Sequence, residues 1–335
     1  MSTMKFKNNN LRYIVTCLLS MTLTASIAQA QQPPVVNSTI APQPSVVKNT
    51  IVYSSDSGKL SNQGHVRTFY IYTPKSYNPS RPMPLVMVFH GDGGSGRSIS
   101  TVTHFNDLAE QKGFIAVYPD AIDNRWSLST KSSRKVDDGL FVASLIEGIQ
   151  QTKNIDSTRI YATGFSKGAI LAQALACQMP NKIAAFASVA GSLPSRLKPS
   201  CQAHPVSMMM INGTKDQSVN YEGDATSQRL ALISVPNTVN FWRTQDQCSS
   251  PVQNQQVSKP NPSHLLVKTS RYANCRAGSE VMLASVVNGG HFWPGGASTD
   301  PTLNKVNANL GFNATKTIWD FFERHNLSQS YALKK

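Results

Sequence analysis

The sequence predicts an α/β fold: a mostly parallel central sheet with helices on both faces. Strand-like and helix-like runs alternate from Thr50 onward, the pattern of a parallel sheet wound with helices. No internal repeat and no Pro- or Ser-rich linker interrupts the chain after residue 50, so residues 51–330 read as one catalytic-size domain. The 335 residues, 40% hydrophobic and 15% charged, suit one large α/β domain.

The elements follow in order. "RTFYIYTP" (67–74) and "LVMVFH" (85–90) are β-rich runs bounded by Pro and Gly. A helix near Phe105–Lys112 leads into the strand "GFIAVYPD" (113–120). The stretch 137–153 carries Leu140, Val142, Leu145, Ile146 and Ile149 at helical spacing, with Asp137 or Asp138 as its cap. "RIYATG" (strand), "KGAILAQALAC" (helix), "FASVAG" and "VSMMMING" (strands) and "VPNTVNFWRTQ" (helix) come next. Strands "HLLVKTSRYA" and "EVMLASVV" and the amphipathic "TKTIWDFFERH" close the pattern.

Residues 1–30 stand apart. Lys5, Lys7 and Arg12 precede the apolar "YIVTCLLSMTLTASI" and the small-residue end Ala28-Gln29-Ala30, the order of a secretory signal peptide. At about fifteen apolar residues the stretch is short for a membrane span. No other stretch is apolar enough to cross a bilayer, so no stable membrane insertion is expected after cleavage. Residues 31–50, rich in Pro, Gln, Ser and Asn, read as a flexible lead-in. Removing the leader takes away three cations and no anion, from a net charge of +14 to +11. Its one local cluster, Lys131, Arg134 and Lys135, has no interleaved aromatics to stack on bases, so a solvated basic face is expected and not a nucleic-acid site. Four cysteines remain, Cys177, Cys201, Cys248 and Cys275. In an exported chain they imply disulfides in one of three connectivities, sequence neighbours being the natural choice.

Ligands in such sheets bind beyond the carboxyl ends of the strands, which directs attention to three loops. "ATGFSKGA" is G-x-S-x-G between a strand and a helix, the nucleophile elbow, with Ser166 on the tight turn between Gly164 and Gly168. "FHGDGGSGRS" follows a strand. Gly91, Gly93 and Gly96, with Asp120 further on, also fit a dinucleotide fingerprint, and Gly91–Ser98 nearly fits a P-loop with Arg97 in place of lysine. An exported chain favours a different role: His90-Gly91 shapes a loop whose Asp92 N–H, with that of Lys167, forms an oxyanion hole. "INGTKDQ" puts Asp216 just past a strand, in a polar turn. "NGGHFWPGG" follows the last strand and sets His291 in a glycine-rich turn, with Gly289 and Gly290 bending the chain and Phe292, Trp293 and Pro294 bracing it. Ser166, Asp216 and His291 keep the nucleophile–acid–histidine order of α/β-hydrolases. No His/Asp/Glu cluster has metal-ligand spacing, and neither metal nor organic cofactor is expected.

These pieces together resemble the secreted polyhydroxybutyrate depolymerase and feruloyl esterase group of α/β-hydrolases. The likeness is carried by "FHGDGGSG", "GFIAVYPD" with Trp126, "VDDGLF", "YATGFSKGA", "INGTKD", "GGHFWPGG" and "TIWDFFERH", over most of residues 50–326. It implies an α/β-hydrolase fold, a Ser166–Asp216–His291 triad and hydrolysis of a carboxyl ester through an acyl-enzyme. It also supports the pairings Cys177–Cys201 and Cys248–Cys275. Hydroxycinnamoyl esters on polysaccharide and short hydroxyalkanoate esters both fit as substrates, with acetylated xylan as an alternative. A non-catalytic envelope- or polysaccharide-binding protein on the same scaffold is the rival from another class. Trp126 and Trp293 either flank an aromatic acyl group as substrate-binding residues or fill the core. Lys167, Ala169 and Phe292 depart from the residues often seen in the group. No polymer-binding domain is visible after the catalytic one, which sets action on crystalline polymer against expectation.

Overall fold

The computed structural model describes residues 51–127, 136–201, 204–224, 231–249, 252–258 and 265–327. The predicted signal peptide, the lead-in and the cluster Lys131, Arg134 and Lys135 lie outside the described residues.

Apolar, β-branched runs become the strands of one eleven-stranded sheet. The strands are β1 (Ile51–Ser54), β2 (Ser57–Asn62), β3 (His65–Tyr72), β4 (Met83–Phe89), β5 (Ile115–Pro119) and β6 (Ile155–Phe165). β7 (Ala185–Val189), β8 (Ser207–Gly213), β9 (Gln253–Gln256), β10 (Leu266–Tyr272) and β11 (Val281–Val287) complete it. The order is β1-β2-β3-β5-β4-β6-β7-β8-β11-β10-β9. β5, β4, β6, β7, β8 and β11 run parallel to their neighbours within this block, and the outer strands pair antiparallel. This is the α/β-hydrolase fold that the strand–helix alternation predicts.

Both faces are covered. α3 (Asp138–Thr152), α4 (Lys167–Gln178) and α5 (Val235–Gln245) bury one face. α1 (Gly96–Thr103), α2 (Phe105–Lys112) and α7 (Ala314–Phe322) bury the other, and α6 (Pro301–Asn309) precedes α7. β8, "SMMMING", is buried along its whole length, as a central parallel strand must be. Each large apolar side chain so buried contributes about 1.5–3 kcal/mol.

One detail of α3 corrects the sequence reading, and another decides between its two cap candidates. Leu140 is 57% exposed, and Phe141 takes the core position instead. The two aspartates divide the work. Asp137 caps the helix by accepting from the N–H groups of Gly139 and Leu140, whereas Asp138 is buried and pairs with Arg67 at 2.7 Å. Arg67 also donates to the carbonyl of Asp120 and lies over the Phe141 ring, which pins the segment after β5 to β3 and α3.

The disulfides join sequence neighbours. Cys177–Cys201 ties the end of α4 to the segment before β8, and Cys248–Cys275 ties the turn after α5 to the β10–β11 connection. In the chain-entropy model a loop of about 25 residues makes each worth roughly 3–4 kcal/mol.

The sheet reverses its winding at β4, which is followed in sequence by β5 on one side and flanked by β6 on the other. Such a switch point opens a crevice beyond the strand carboxyl ends. The loops leaving β4 and β6 both start there.

Candidate active site

Ser166 follows β6 with φ 55° and ψ −117°, a left-handed backbone that costs a non-glycine residue on the order of 1–3 kcal/mol. What sustains it is the close packing of strand, turn and helix. A Cβ on Gly164 would lie 2.4 Å from the Gly168 carbonyl carbon, and one on Gly168 would lie 2.3 Å from the Phe89 carbonyl oxygen. The Ser166 N–H donates to Val189, and the Ser166 carbonyl accepts from Ile170 as α4 begins. The serine therefore stands on a strained turn at the N-terminus of a helix, where the positive end of the dipole favours developing negative charge.

The loop after β4 approaches from the neighbouring strand. A Cβ on Gly91 would lie 3.4 Å from both the Ser166 Cβ and the Phe165 ring. His90 sets the geometry of this loop. The Ala121 N–H donates to its Nε2 at 3.1 Å, so the ring proton sits on Nδ1, which donates to the Gly91 carbonyl at 2.7 Å. The Gly94 N–H donates to the same carbonyl. In a trans peptide the N–H points opposite to the C=O. Two donors on the Gly91 carbonyl therefore aim the Asp92 N–H away from His90, and among the described residues that N–H donates to nothing. Burial pushes His90 below the ordinary imidazole range, which keeps it in the neutral form this arrangement needs. The Gly93 N–H donates to Asn124, so the segment after β5 clamps the loop a second time.

The dinucleotide reading fails at the start of α1. Asp120 accepts from the Gly96 N–H at 2.7 Å, and a Cβ on Gly96 would lie 2.1 Å from the Tyr118 carbonyl. The helix N-terminus that a phosphate would occupy already holds the chain's own carboxylate.

Asp216 and His291 meet across two adjacent parallel strands. Asp216 Oδ2 lies 2.8 Å from His291 Nδ1, while Oδ1 accepts from the N–H groups of Ser218 and Val219 at 2.8 Å each. The carboxylate is 4% exposed as a residue and has its orientation set by three donors. The loops are laced by backbone: Lys215 N–H to Gly289, Thr214 N–H to Val286, and Asn288 N–H to the Thr214 hydroxyl. Of the two glycines before the histidine, Gly289 is needed because a Cβ would lie 2.6 Å from Val286, whereas Gly290 has nothing within 4 Å. Asn288, with φ 59°, makes the left-handed turn.

Asp216 and His291 are thus joined by a hydrogen bond, whereas Ser166 Oγ makes none among the described residues. Such bonds are often open in a ligand-free site and tighten when substrate arrives. Phe165, the residue before the serine, packs beside the histidine: its ring centroid lies 4.8 Å from that of His291. Sequence reasoning missed Phe165 as a site residue, although strand alternation with Tyr161 and Thr163 marks its face.

The two tryptophans are both buried. Trp126 is 7% exposed; its Nε1 donates to the His90 carbonyl at 2.8 Å and its ring packs on His90. Trp293 is 2% exposed, donates to Thr315 and packs edge-on against Phe105. Both rings are spent on the core, Trp126 beneath the loop after β4 and Trp293 between α2 and α7. Among the described residues no group of three or more His, Cys, Asp or Glu could hold a metal ion.

Residues 68–235, half of the chain, match the family model described as esterase PHB depolymerase. The chain belongs to this family. The match covers β3 through the start of α5, including the loop after β4 and the elbow. Among PHB depolymerase-type esterases and their relatives, a bifunctional acetylxylan esterase/xylanase of Neocallimastix patriciarum is 32% identical over 48% of this chain and 23% of its own length. Feruloyl esterase B of Piromyces equi is 26% identical over 67% of this chain and 42% of its own. The chain thus spans less than half the length of either relative. An acetyl xylan esterase structure from Aspergillus awamori superposes with a TM-score of 0.50 at 17% identity, covering 68% of this chain and 89% of that one, which supports the fold.

Proposed function

We propose that this family member is an exported serine hydrolase that cleaves carboxyl esters through an acyl-enzyme. The observation that carries the reading is the Asp216–His291 hydrogen bond at the same strand ends as the strained Ser166 turn. His291 Nε2 takes the Ser166 proton as Oγ forms its bond to the ester carbonyl carbon, and the carbonyl electron pair moves onto oxygen. The Asp92 and Lys167 backbone N–H groups receive that oxyanion. Asp216 holds the proton on Nδ1 and stabilises the imidazolium. Collapse expels the alcohol, protonated by the imidazolium, and water repeats the sequence to free the acid.

Acyl esters borne on polysaccharide are the substrate class that the relatives' activities favour, with hydroxyalkanoate esters as the class in the family's description. With Trp126 and Trp293 in the core, no tryptophan selects for an aromatic acyl group, so acetyl and hydroxycinnamoyl esters stand level. Two disulfides support export, and no helix among the described residues is long and apolar enough to cross a membrane.

A fluorophosphonate probe should label the wild type and not Ser166→Ala, and rates on methyl ferulate, acetylated xylan and soluble hydroxybutyrate oligomers should rank the substrates. Labelling that persists in Ser166→Ala, or its absence in the wild type, overturns the reading.

A further inference from the structure

The elbow residue before the nucleophile has a place in the geometry that the proton-transfer scheme does not use. Phe165 ends β6, so its backbone is held by pairing to Val189 on β7. Its ring touches the position of Gly91 on one side and inclines at 39° to the His291 imidazole on the other, at 4.8 Å between centroids. It is half-buried, packed against the core on the α1–α2–α7 side. An aromatic face within about 6 Å of a cation attracts it through the ring quadrupole. The imidazole beside Phe165 becomes a cation when it takes the proton that Ser166 gives up. An interaction that strengthens in that step lowers the barrier without tightening ground-state binding.

We propose that Phe165 is a positioning residue whose ring holds the His291 imidazole in place and stabilises the imidazolium formed as Ser166 attacks. The inference rests on the esterase reading above. It distinguishes two roles for one side chain. A packing role needs only volume, which Leu or Met supplies; a role toward the cation needs π density, which Tyr keeps and ring fluorination withdraws.

The test is steady-state kinetics on a soluble ester for Phe165→Leu, Phe165→Met, Phe165→Tyr and a 3,4,5-trifluorophenylalanine replacement, each with its melting temperature. Leu and Met should lower kcat by about five- to tenfold with KM within about twofold. Tyr should stay within about twofold of wild type, and the fluorinated ring should fall between. Wild-type kcat in both aliphatic variants, a Tyr variant as slow as Leu, or a fluorinated variant equal to wild type overturns the proposal. A kcat loss confined to variants that also melt lower overturns it too. The rates counted are those that Ser166→Ala removes. Turnover surviving Ser166→Ala sinks the esterase reading, whereas an aliphatic variant as fast as wild type sinks only the role of Phe165.

Discussion

The two ends of the central sheet each gather a serine, a histidine and a carboxylate. At the carboxyl ends stand Ser166, His291 and Asp216. At the amino ends, Ser207 opens β8, its hydroxyl 3.1 Å from His325 Nδ1, and His325 Nε2 lies 3.8 Å from Glu280. The second trio looks more complete, since its serine and histidine touch. The difference lies in the backbone and in how each group's partners are used. Ser207 sits in a regular strand, 6% exposed, with no helix N-terminus behind it. Glu280 spends its carboxylate on Arg271 and Arg324 at 2.9 Å each. Although burial works the other way, those two arginines hold its carboxyl below the usual range. Asp216 gives one oxygen to His291 and orients the other with backbone N–H groups. On the proposed reading, a triad needs a strained turn, an open amide and an acid free to serve one histidine; three residue types in proximity are not enough.

The comparison breaks most sharply at the serines. Ser166→Ala should lower kcat by about 10⁵–10⁶-fold, the loss usual for a serine nucleophile. Ser207→Ala should leave kcat within about twofold and cost about 1 kcal/mol of stability through one lost hydrogen bond. Parallel ester assays and urea titrations measure both. If Ser207→Ala stopped turnover while remaining folded, the assignment of the two ends would be reversed.

A smaller effect separates glycines of the catalytic end itself. A Cβ on Gly213 would lie 2.4 Å from the carbonyl oxygens of both Gly289 and Gly290, where the Asp216 and His291 loops touch. Gly213→Ala should push those loops apart, lowering kcat at least about tenfold and stability by about 1–3 kcal/mol. Gly290→Ala meets nothing within 4 Å and should fall within about 0.5 kcal/mol and twofold in kcat. Equal behaviour of the two variants would show that loop contact does not set the acid–histidine geometry.

What the sequence made legible follows the same division. The buried strands β4, β5, β7 and β8 carry mostly apolar runs, and the order of Ser166, Asp216 and His291 is a pattern along one dimension. α1, "GRSISTVT", escaped because its glycine, serines and β-branched threonines read as loop. A capping box at Ser95 and the Asp120 carboxylate on Gly96 start it, and the second of these is a contact across 24 residues. β9, "QNQQ", is exposed throughout and exists through its pairing with β10. The exposed Leu140 and the buried Trp126 and Trp293 share a reason for being hard to place. Which face of an element is buried depends on what packs there, and an indole with a hydrogen-bond partner is as content in the core as at a pocket wall.

The amino end makes its own prediction, in pH and not in turnover. Burial pushes His325 down to about 4, from an unfolded value near 6.5. The unfolded chain then binds a proton that the folded chain refuses between those values, so stability is full above pH 6.5 and falls as pH drops toward 4. The span of about 2.5 pH units corresponds to roughly 3 kcal/mol. Asp246, at the end of α5, works in the opposite direction. Burial raises it to about 7, so its contribution is full below about pH 3.8 and is lost as pH rises through 7. The two slopes overlap and partly cancel in the wild type. His325→Gln, which cannot charge, removes one of them. Urea midpoints at pH 7, 5.5 and 4 should show the stability of wild type relative to His325→Gln declining by roughly 3 kcal/mol across the series. Parallel curves would mean that His325 takes up its proton in the fold as readily as in the unfolded chain, so that at low pH the amino-end trio is an ion cluster and not a neutral histidine packed beside a fully engaged carboxylate.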